Sequence, residues 1–339
     1  MELGKMLSFD GQLYAVRTTP GCLRGELRII PGEEDLCLSV TTNRPIFVCG
    51  EKNTDTTTFC TLELLRQDQS GIFQNFSNNL SAIATQVLVG FSTRTRFRFF
   101  HLPAHSRMVI YLCPLKTFRG QSNVSVTTFD QIIKKANTIR PSSDALERFH
   151  TAMRAVLPWN SEQPWDPEQP WDPQQAGGPE SLTSPQRDAI HQSLFDCFTR
   201  APKLETVPLK LTQRHELCKD LVAWGYRQVD QPQSLEMVLE QLHTTRAAIS
   251  QGCKEALGIG PMEVLRAIRL EHIHQALRHR TIQKTLNLRS IEEIREHYGF
   301  RSRGNFAALY KKYFEENPRD TFNASVVERE MVTAPCRGI

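Results

Sequence analysis

The sequence lacks the features of several protein classes. Its N-terminus, MELGKMLSFD, has no apolar run that could serve as a signal peptide. The chain also contains no stretch of about 18 apolar residues that could cross a membrane. The nine cysteines are scattered without a CxxC pair, which argues against a zinc site or a disulfide framework and favours reduced thiols. These absences predict a soluble, cytoplasmic protein with no membrane partner.

Motifs of common enzyme classes are also missing. The sequence contains no GxSxG elbow, no phosphate-binding P-loop and no dinucleotide-binding fingerprint. His101 and His105 are four residues apart in a strand or loop context, where that spacing does not converge on a metal, and the N-terminal half lacks the HxH with a following Glu of a barrel metal site. We therefore expect no catalytic residues, no metal site and no cofactor, and hence no enzymatic activity.

Charge is nearly balanced over the whole chain but not along it. Lys and Arg number 41 against 37 Asp and Glu, a net charge of +4, so the total charge demands no polyanionic partner. Between His274 and Phe314, however, nine Lys and Arg residues accompany only three Glu residues. A basic excess confined to one segment is typical of a nucleic-acid-binding surface.

The N-terminal half alternates short β-rich runs with turn residues from Gln12 to Cys113. About eight such runs, from LYAVRT to MVIYLC, recur at roughly ten-residue spacing, which favours a small antiparallel barrel or sandwich of the cupin-like kind. Such a barrel can hold a ligand in its lumen, or its core can be filled and the domain used for dimerisation. The sequence leaves both alternatives open. Residues 143–157 then have the apolar spacing of a terminal helix.

A repeat separates the two halves of the chain. Residues 158–175 contain three copies of a hexapeptide, PWNSEQ, PWDPEQ and PWDPQQ, whose composition cannot form a helix or bury a core. We predict a sensor or dimerisation domain over 1–157, a linker over 158–184, a helical domain over 185–325 and a flexible tail over 326–339. The Trp residues of the repeat are either a docking motif for a partner or part of a tolerated repeat expansion.

The stretch from Ser290 to Phe322 has the pattern of two helices around a tight turn. Ser290 and Glu293 form a capping box at the start of a first helix, and Gly299 permits the left-handed backbone that ends it. Ser302 caps a second helix. The apolar stripe of that second helix consists of Phe306, Leu309, Tyr310, Tyr313 and Phe314.

The outward face of the second helix has no large apolar residue. Gly304 and Ala308 would allow close approach to base pairs. Arg303 and Asn305, near the helix start, are of the residue types that read guanine and adenine edges. The candidate phosphate contacts are Arg301, Lys311 and Lys312. This face is what a major-groove reader requires.

These residues resemble a known bacterial family. The run Ile294, Gly299-Phe300, Ser302, Phe306, Phe314 and Pro318 is similar to the second helix-turn-helix of the AraC/XylS family of transcription regulators. The resemblance extends over about 211–322 and implies two helix-turn-helix motifs, here at 234–257 and 290–314, joined by a long helix. At about 1.5 Å per residue that helix would span about 25 Å. It would hold the two helix-turn-helix motifs, which we call the first and the second reading head, in successive major grooves.

The candidate base-reading side chains of the first reading head are smaller than those of the second. Thr245 caps its recognition helix, which presents small and polar side chains outward. Its candidate base-reading residues are Ala247, Ser250 and Gln251, and its candidate phosphate contacts are Arg246 and Lys254. Because the second head offers Arg303 and Asn305 for contacts to bases, we expect it to supply more of the sequence specificity.

The chain departs from the family pattern at several positions. Leu239 and Arg295 stand where the family usually has Ala between crossing helices, His243 stands where it often has Gly, and Cys253 replaces an aromatic residue. The twelve residues from Arg278 to Arg289 make a longer connection than is usual. That connection and the GxFAxxYxxxFxExP pattern look most like the subgroup that contains ethanolamine-operon regulators.

The resemblance implies a transcriptional regulator that binds double-stranded promoter DNA. It further implies an activator that contacts RNA polymerase, with a homodimer and an unknown small-molecule effector as open expectations for the N-terminal domain. The alternative from another class is a β-barrel enzyme or ligand carrier whose helical half is a protein-interaction module. Binding to DNA distinguishes the two.

Overall fold

A computed structural model describes residues 13–51, 56–64, 87–91, 97–102, 104, 106–120, 126–157, 181–199, 205–208, 213–231 and 233–324. The chain forms two compact units. The first consists of Met1–Ala15 and Arg24–Lys210, and the second of Val16–Leu23 and Leu211–Ile339. The predicted linker repeat and the predicted tail lie outside the described residues.

All eight β-rich runs predicted in the N-terminal half form strands. The structure adds two short strands, β9 and β10, that the sequence pattern did not predict. The strands are β1 (Leu13–Arg17), β2 (Gly25–Pro31), β3 (Leu36–Thr42), β4 (Ile46–Glu51), β5 (Thr56–Leu64), β6 (Leu88–Val89), β7 (Phe97–Leu102), β8 (Ser106–Pro114), β9 (Ala136–Arg140) and β10 (Glu205–Pro208).

The strands form two sheets, in the orders β1-β4-β7 and β10-β9-β6-β5-β8-β3-β2. Within the larger sheet every recorded pairing is antiparallel. Its centre is the ladder of β5, β8 and β3, in which Thr56–Leu64 runs opposite Ser106–Pro114 along its whole length. The prediction of a β-rich antiparallel N-terminal unit and a helical C-terminal unit is confirmed.

Four helices of the first unit contribute buried side chains to one core with the larger sheet. Phe118 links the layers, because its ring lies 4.7 Å from that of Phe59 on the sheet and 4.6 Å from that of Phe195. Tilted and stacked rings of this kind bury large apolar areas. The four helices are α1 (Leu115–Gly120), α2 (Val126–Lys135), α3 (Ser143–Val156) and α4 (Ser184–Thr199).

Helix α4 belongs to the first unit, which differs from the expected domain start at residue 185. Its residues Ile190, Leu194 and Phe198 are buried in the same core as the sheet. The helix is also tied to the sheet by polar contacts: Asp35 accepts hydrogen bonds from the Tyr111 hydroxyl at 2.7 Å and from Arg187 Nε at 2.8 Å. These long-range contacts, which local periodicity does not contain, place the first unit's boundary near residue 210.

The second unit is helical, and each helix predicted for it is present. Helix α9 is an addition, and it lies within the long connection noted in the sequence. The helices are α5 (Gln213–Arg227), α6 (Leu235–Gln241), α7 (Arg246–Leu257), α8 (Pro261–Arg278), α9 (Arg280–Thr285), α10 (Ile291–His297) and α11 (Arg303–Phe314).

Helix α8 is the central element of the second unit. It contacts α5, α7, α9 and α10, and its residues from Val264 to Leu277 are buried along more than one side. Gly225 on α5 permits a close crossing, because a Cβ there would lie 2.6 Å from Leu265 Cδ2. The predicted strut therefore exists as one helix with a helix-turn-helix at either end.

Within the described ranges, no helix is long and apolar enough to cross a membrane. In the same ranges, no three His, Cys, Asp or Glu side chains come together as a metal site would require. Within the described residues, Cys37, Cys60, Cys113, Cys197, Cys218 and Cys253 are buried and Cys22 is half-buried, and none of these seven thiols is part of a disulfide.

Candidate DNA-binding surface

The second helix-turn-helix begins with the predicted capping box. Ser290 Oγ accepts a hydrogen bond from the Glu293 backbone N–H at 3.1 Å, and Glu293 Oε2 accepts one from the Ser290 N–H at 3.2 Å. The first helix, α10, ends at His297, and Gly299 follows two residues later with a φ of 78°, left-handed backbone that glycine adopts without strain. Local sequence signals therefore set both ends of this helix.

Arg295 stabilises the turn between α10 and α11 in the second head. Its side chain is only 7% exposed, and its guanidinium donates to the backbone carbonyl of Phe300 across the turn and to Glu296 Oε1 at 2.7 Å. The family pattern has Ala here, so this chain fills the crossing with a long cation. The turn carbonyl supplies the hydrogen bond that a buried guanidinium needs.

The second recognition helix, α11, has the predicted cap and the predicted apolar stripe. Ser302 Oγ accepts from the Asn305 N–H at 3.4 Å, and Glu315, with φ of 62°, ends the helix. Four residues of the stripe, Phe306, Tyr310, Tyr313 and Phe314, are buried, and Leu309 is half-buried. The opposite face is consequently free to meet a partner.

That opposite face carries every candidate contact of the second head. The exposed residues are Arg301, Arg303, Gly304, Asn305, Ala308, Lys311 and Lys312. Arg303 is 84% exposed, and its Nε lies 3.4 Å from Glu292 Oε1. A Cβ added at Gly304 would meet no atom within 4 Å. Close approach by a partner is therefore sterically open at this end of the helix.

The first helix-turn-helix is capped in the same way. Ser234 Oγ accepts from the Met237 N–H at 3.2 Å, and Thr245 Oγ1 accepts from the Ala248 N–H at 3.2 Å. Between the helices His243 has a φ of 47°, so it adopts the left-handed backbone at the position where the family often has Gly. Helix α7 ends at Gly258, whose φ is 72°.

On the outward face of the first recognition helix, some candidate contacts already have acidic side chains as partners. Arg246, Ala247, Gln251 and Lys254 are exposed, and Ser250 is half-buried. Gln251 Nε2 donates to Glu255 Oε1 at 2.9 Å. The same oxygen accepts from Arg214 of α5 at 2.7 Å and Arg246 lies 3.6 Å from Glu236, so two predicted contacts have acidic partners.

A close helix crossing supports the first head, and the sequence reading missed it. A Cβ at Gly252 would lie 2.7 Å from the backbone carbonyl oxygen of Arg214. Real Cβ atoms do not approach a backbone oxygen so closely, so α7 and α5 can meet here only through a glycine. Cys253, which stands in place of the family's aromatic residue, is fully buried beside it.

Comparison with known families agrees with this geometry. A helix-turn-helix domain model matches residues 238–324, which include both recognition helices and the strut. This segment is a helix-turn-helix domain. The chain is accordingly a DNA-binding transcriptional regulator. No curated protein matches the chain by sequence.

Solved structures are similar to the helical part of the chain or to most of it. A transcriptional regulator of Chromobacterium violaceum is 21% identical over 32% of this chain and 92% of its own, with a TM-score of 0.29. The C-terminal domain of AraT, a response regulator of Geobacillus stearothermophilus, is 23% identical over 34% and 87%, with a TM-score of 0.28. ToxT of Vibrio cholerae O395 is 10% identical over 93% and 97%, with a TM-score of 0.31. At these TM-scores the likeness decides nothing about ligand, partner or target.

A segment from the N-terminal part of the chain packs within the same compact unit as the helix-turn-helix domain. Val16–Leu23 belongs to the second compact unit. Arg17, which is buried, forms an ion pair with Glu271 of α8 at 2.9 Å and lies over the rings of Tyr313 and Phe314 at 5.2 and 4.7 Å. The Gly21 N–H donates to the Tyr313 carbonyl at 3.0 Å. The C-terminal end of α11 is thus held by residues that no local pattern connects to it.

A buried polar chain backs the same helix. His274 of α8 is stacked on Phe314 at 4.3 Å, its Nδ1 lies 2.7 Å from the Tyr310 hydroxyl, and that hydroxyl lies 2.8 Å from Thr321 Oγ1. Burial, with smaller contributions from Arg278, Arg17 and His279, lowers the pKa of His274 to about 4. The ring is therefore neutral at pH 7 and can take part in a hydrogen bond with the tyrosine.

Proposed function

We propose that the AraC-type domain inserts α7 and α11 into successive major grooves of double-stranded DNA. The observation that carries this proposal is the pair of capped recognition helices, each with an outward face free of large apolar residues, at the two ends of α8. At about 1.5 Å per residue, the 18 residues of α8 span about 27 Å. That length is comparable to one helical repeat of B-DNA, about 34 Å, once the widths of the heads are added.

We assign the exposed residues of the two faces to distinct roles. In the second head Arg303 and Asn305 read base edges, because their side chains can make the bidentate contacts that distinguish guanine and adenine. Gly304 and Ala308 allow α11 to approach the base pairs. The base-reading residues of the first head are Ala247, Ser250 and Gln251, and the phosphate contacts of both heads are Arg246, Lys254, Arg301, Lys311 and Lys312.

Selection of binding sites by the full-length chain from a pool of random duplexes tests this proposal. We expect a bipartite motif whose two parts are centred about 10 base pairs apart. The variant Arg303→Ala/Asn305→Ala should lose the preference in one part only. Arg319→Ala is the matched control, because Arg319 is exposed beyond the far end of α11. If the wild-type chain enriches no sequence, the helical unit is instead a protein-interaction module.

Control of the regulator is a separate proposal. We propose a cytoplasmic activator that contacts RNA polymerase, with its N-terminal unit serving as a sensor for a small effector or as a dimerisation domain. The long connection over Arg278–Arg289 supports a place in the subgroup that contains ethanolamine-operon regulators. In vitro transcription from a selected site, with and without the chain, tests activation. Sedimentation of the full-length chain tests the dimer.

A further inference from the structure

The long connection before the second head is a fixed structural element. Gln283 of α9 is 3% exposed, and its Nε2 donates to the carbonyl oxygens of Ala276 at 2.7 Å and Leu277 at 3.2 Å. Its Oε1 accepts a hydrogen bond from Arg280 Nη1 at 2.7 Å, and the Arg280 guanidinium lies 4.6 Å from the centre of the Phe322 ring. The end of α8 is capped by this glutamine, which holds α9 against α8.

This element is basic and carries no acid. Between Glu271 and Glu292 the sequence contains no Asp or Glu but four Lys or Arg residues. Lys284 and Arg289 of this group are exposed, and among the described residues neither side chain has an acidic partner. Like charges held on one surface without neutralisation create a positive potential. We call Lys284 and Arg289 the basic shoulder.

Arg289 of the basic shoulder lies beside the reading end of the second head, and Lys284 precedes it on α9. Glu292, in the first turn of α10, is 3.4 Å from Arg303 in the first turn of α11. The start of α10 therefore adjoins the end of α11 that meets the bases, and Arg289 precedes it directly. In helix-turn-helix complexes the first helix crosses the phosphate backbone while the second enters the groove. Side chains just ahead of α10 would consequently face phosphates.

We propose that Lys284 and Arg289 bind the phosphate backbone of duplex DNA next to the site read by α11. This inference rests on the proposed function, and it adds two contacts to the phosphate-binding set. It also gives the longer connection a role: its length places a rigid basic surface where a short loop would place none. Sequence preference would be unaffected, because phosphate contacts carry no direct sequence information.

The salt dependence of DNA binding tests this proposal. A fluorescently labelled mixed-sequence duplex of about 30 base pairs serves as the probe, and anisotropy gives the dissociation constant of the full-length chain between 50 and 200 mM KCl. Each lost phosphate contact reduces the slope of log K against log salt by about 0.9. We expect Lys284→Gln/Arg289→Gln to reduce the slope by about 1.8, and Lys284→Arg/Arg289→Lys to preserve it. Arg319→Gln is the control for net charge alone.

The outcomes separate this inference from the proposed function. If the wild-type chain does not bind the duplex, the proposed function fails. If it binds and the double Gln variant keeps the wild-type slope, only the assignment of phosphate contacts to the basic shoulder is wrong. A loss of slope of about 0.9 in Arg319→Gln, half that of the double variant, would also overturn the inference, because the effect would then come from net charge rather than from position. Support requires a reduced slope in the double Gln variant and near-wild-type slopes in both controls.

Discussion

In the second head a buried cation, Arg295, holds the turn by donating to the Phe300 carbonyl, whereas in the first head the turn depends on the left-handed backbone of His243. The recognition helices are supported differently as well. Helix α11 rests on Arg17 and a stack of aromatic rings, and α7 rests on the close crossing at Gly252. The same motif can therefore be stabilised either by charge and aromatic contacts or by a steric fit.

The outward faces differ in a way that bears on reading. The second head exposes Arg303 almost completely, with a weak ion pair to Glu292 at 3.4 Å. In the first head Gln251 donates to Glu255, whose oxygen also accepts from Arg214. In the second head the Arg303 side chain is available to contact bases. In the first head Gln251 must give up its hydrogen bond to Glu255 before it can bond to DNA. We expect this asymmetry to appear in both stability and specificity.

The largest effect should follow from removing the cation behind the second head. Arg17→Ala leaves Glu271 without its partner in a site where burial raises the pKa of that carboxyl. Loss of one partner of a buried pair costs up to about 3 kcal/mol, and the 24% exposure of the Glu271 side chain keeps the cost at or below that figure. Hydrogen exchange of the α11 amides should accelerate about 100-fold.

The same variant, Arg17→Ala, allows the local stability of the two heads to be compared, because α7 has no contact with Arg17 among those described. Exchange of the α7 amides should remain near the wild-type rate. A second variant, Arg17→Ala/Glu271→Gln, should recover part of the loss, since the buried charge is then gone. If α7 and α11 accelerate together, the two heads unfold as one unit and the comparison between them does not hold for stability.

Base reading should be lost more readily from the second head than from the first. Arg303→Ala should relax the preference at one base position by roughly 1–3 kcal/mol, because a bidentate contact to a base is removed. Gln251→Ala should cost less, since Gln251 already has a partner in Glu255. Lys311→Ala and Lys312→Ala should weaken binding to all sequences alike. Binding-site selection with each variant would reverse the assignment if Gln251→Ala scrambled the motif and Arg303→Ala did not.

Acid should weaken the second head through His274. Its folded pKa of about 4 is below the ordinary value of 6.5, so the unfolded chain binds the extra proton between these values and stability falls as pH falls through that window. At pH 5 the loss is about 2 kcal/mol relative to pH 7. His274→Phe keeps the stacking on Phe314 and should remove this part of the loss. Urea unfolding at both pH values measures it, and an unchanged pH dependence would contradict the role of His274.

Glycine has opposite roles in the two recognition helices. Gly252→Ala should destabilise the first head by about 1–2 kcal/mol, because the new Cβ meets the Arg214 carbonyl and overpacking outweighs the gain in helix propensity. Gly304→Ala should change stability by less than about 0.5 kcal/mol, since its Cβ would be in open space. Thermal unfolding of the two variants compares them directly. If both are neutral, α5 and α7 can move apart at little cost.

The sequence predicted the parts of this domain that depend on neighbouring residues. The caps at Thr245, Ser290 and Ser302 and the apolar stripe of α11 depend on contacts within a few positions, so patterns reveal them. Arg17 and Gly252 were missed because their partners are far along the chain, and no periodicity records such contacts. Helix α4 was assigned to the helical half for the same reason. Glu255 could have been noticed, because an acid four residues after Gln251 on one helix face is a local signal.

The smallest expected effect concerns that missed residue. Glu255→Gln removes the acid that accepts from Gln251 and also removes a negative charge from the face that would meet DNA. Exposed charge interactions contribute about 0.2–1 kcal/mol, so we expect DNA affinity to rise roughly twofold to fivefold. Glu240→Gln is the matched control, because Glu240 is exposed in the same head. Arg214 loses its partner in Glu255→Gln, so a melt must show that the fold is kept. A gain in Glu255→Gln that exceeds the gain in Glu240→Gln would mean that the first head is restrained by its own acid, and equal gains would mean that only net charge matters.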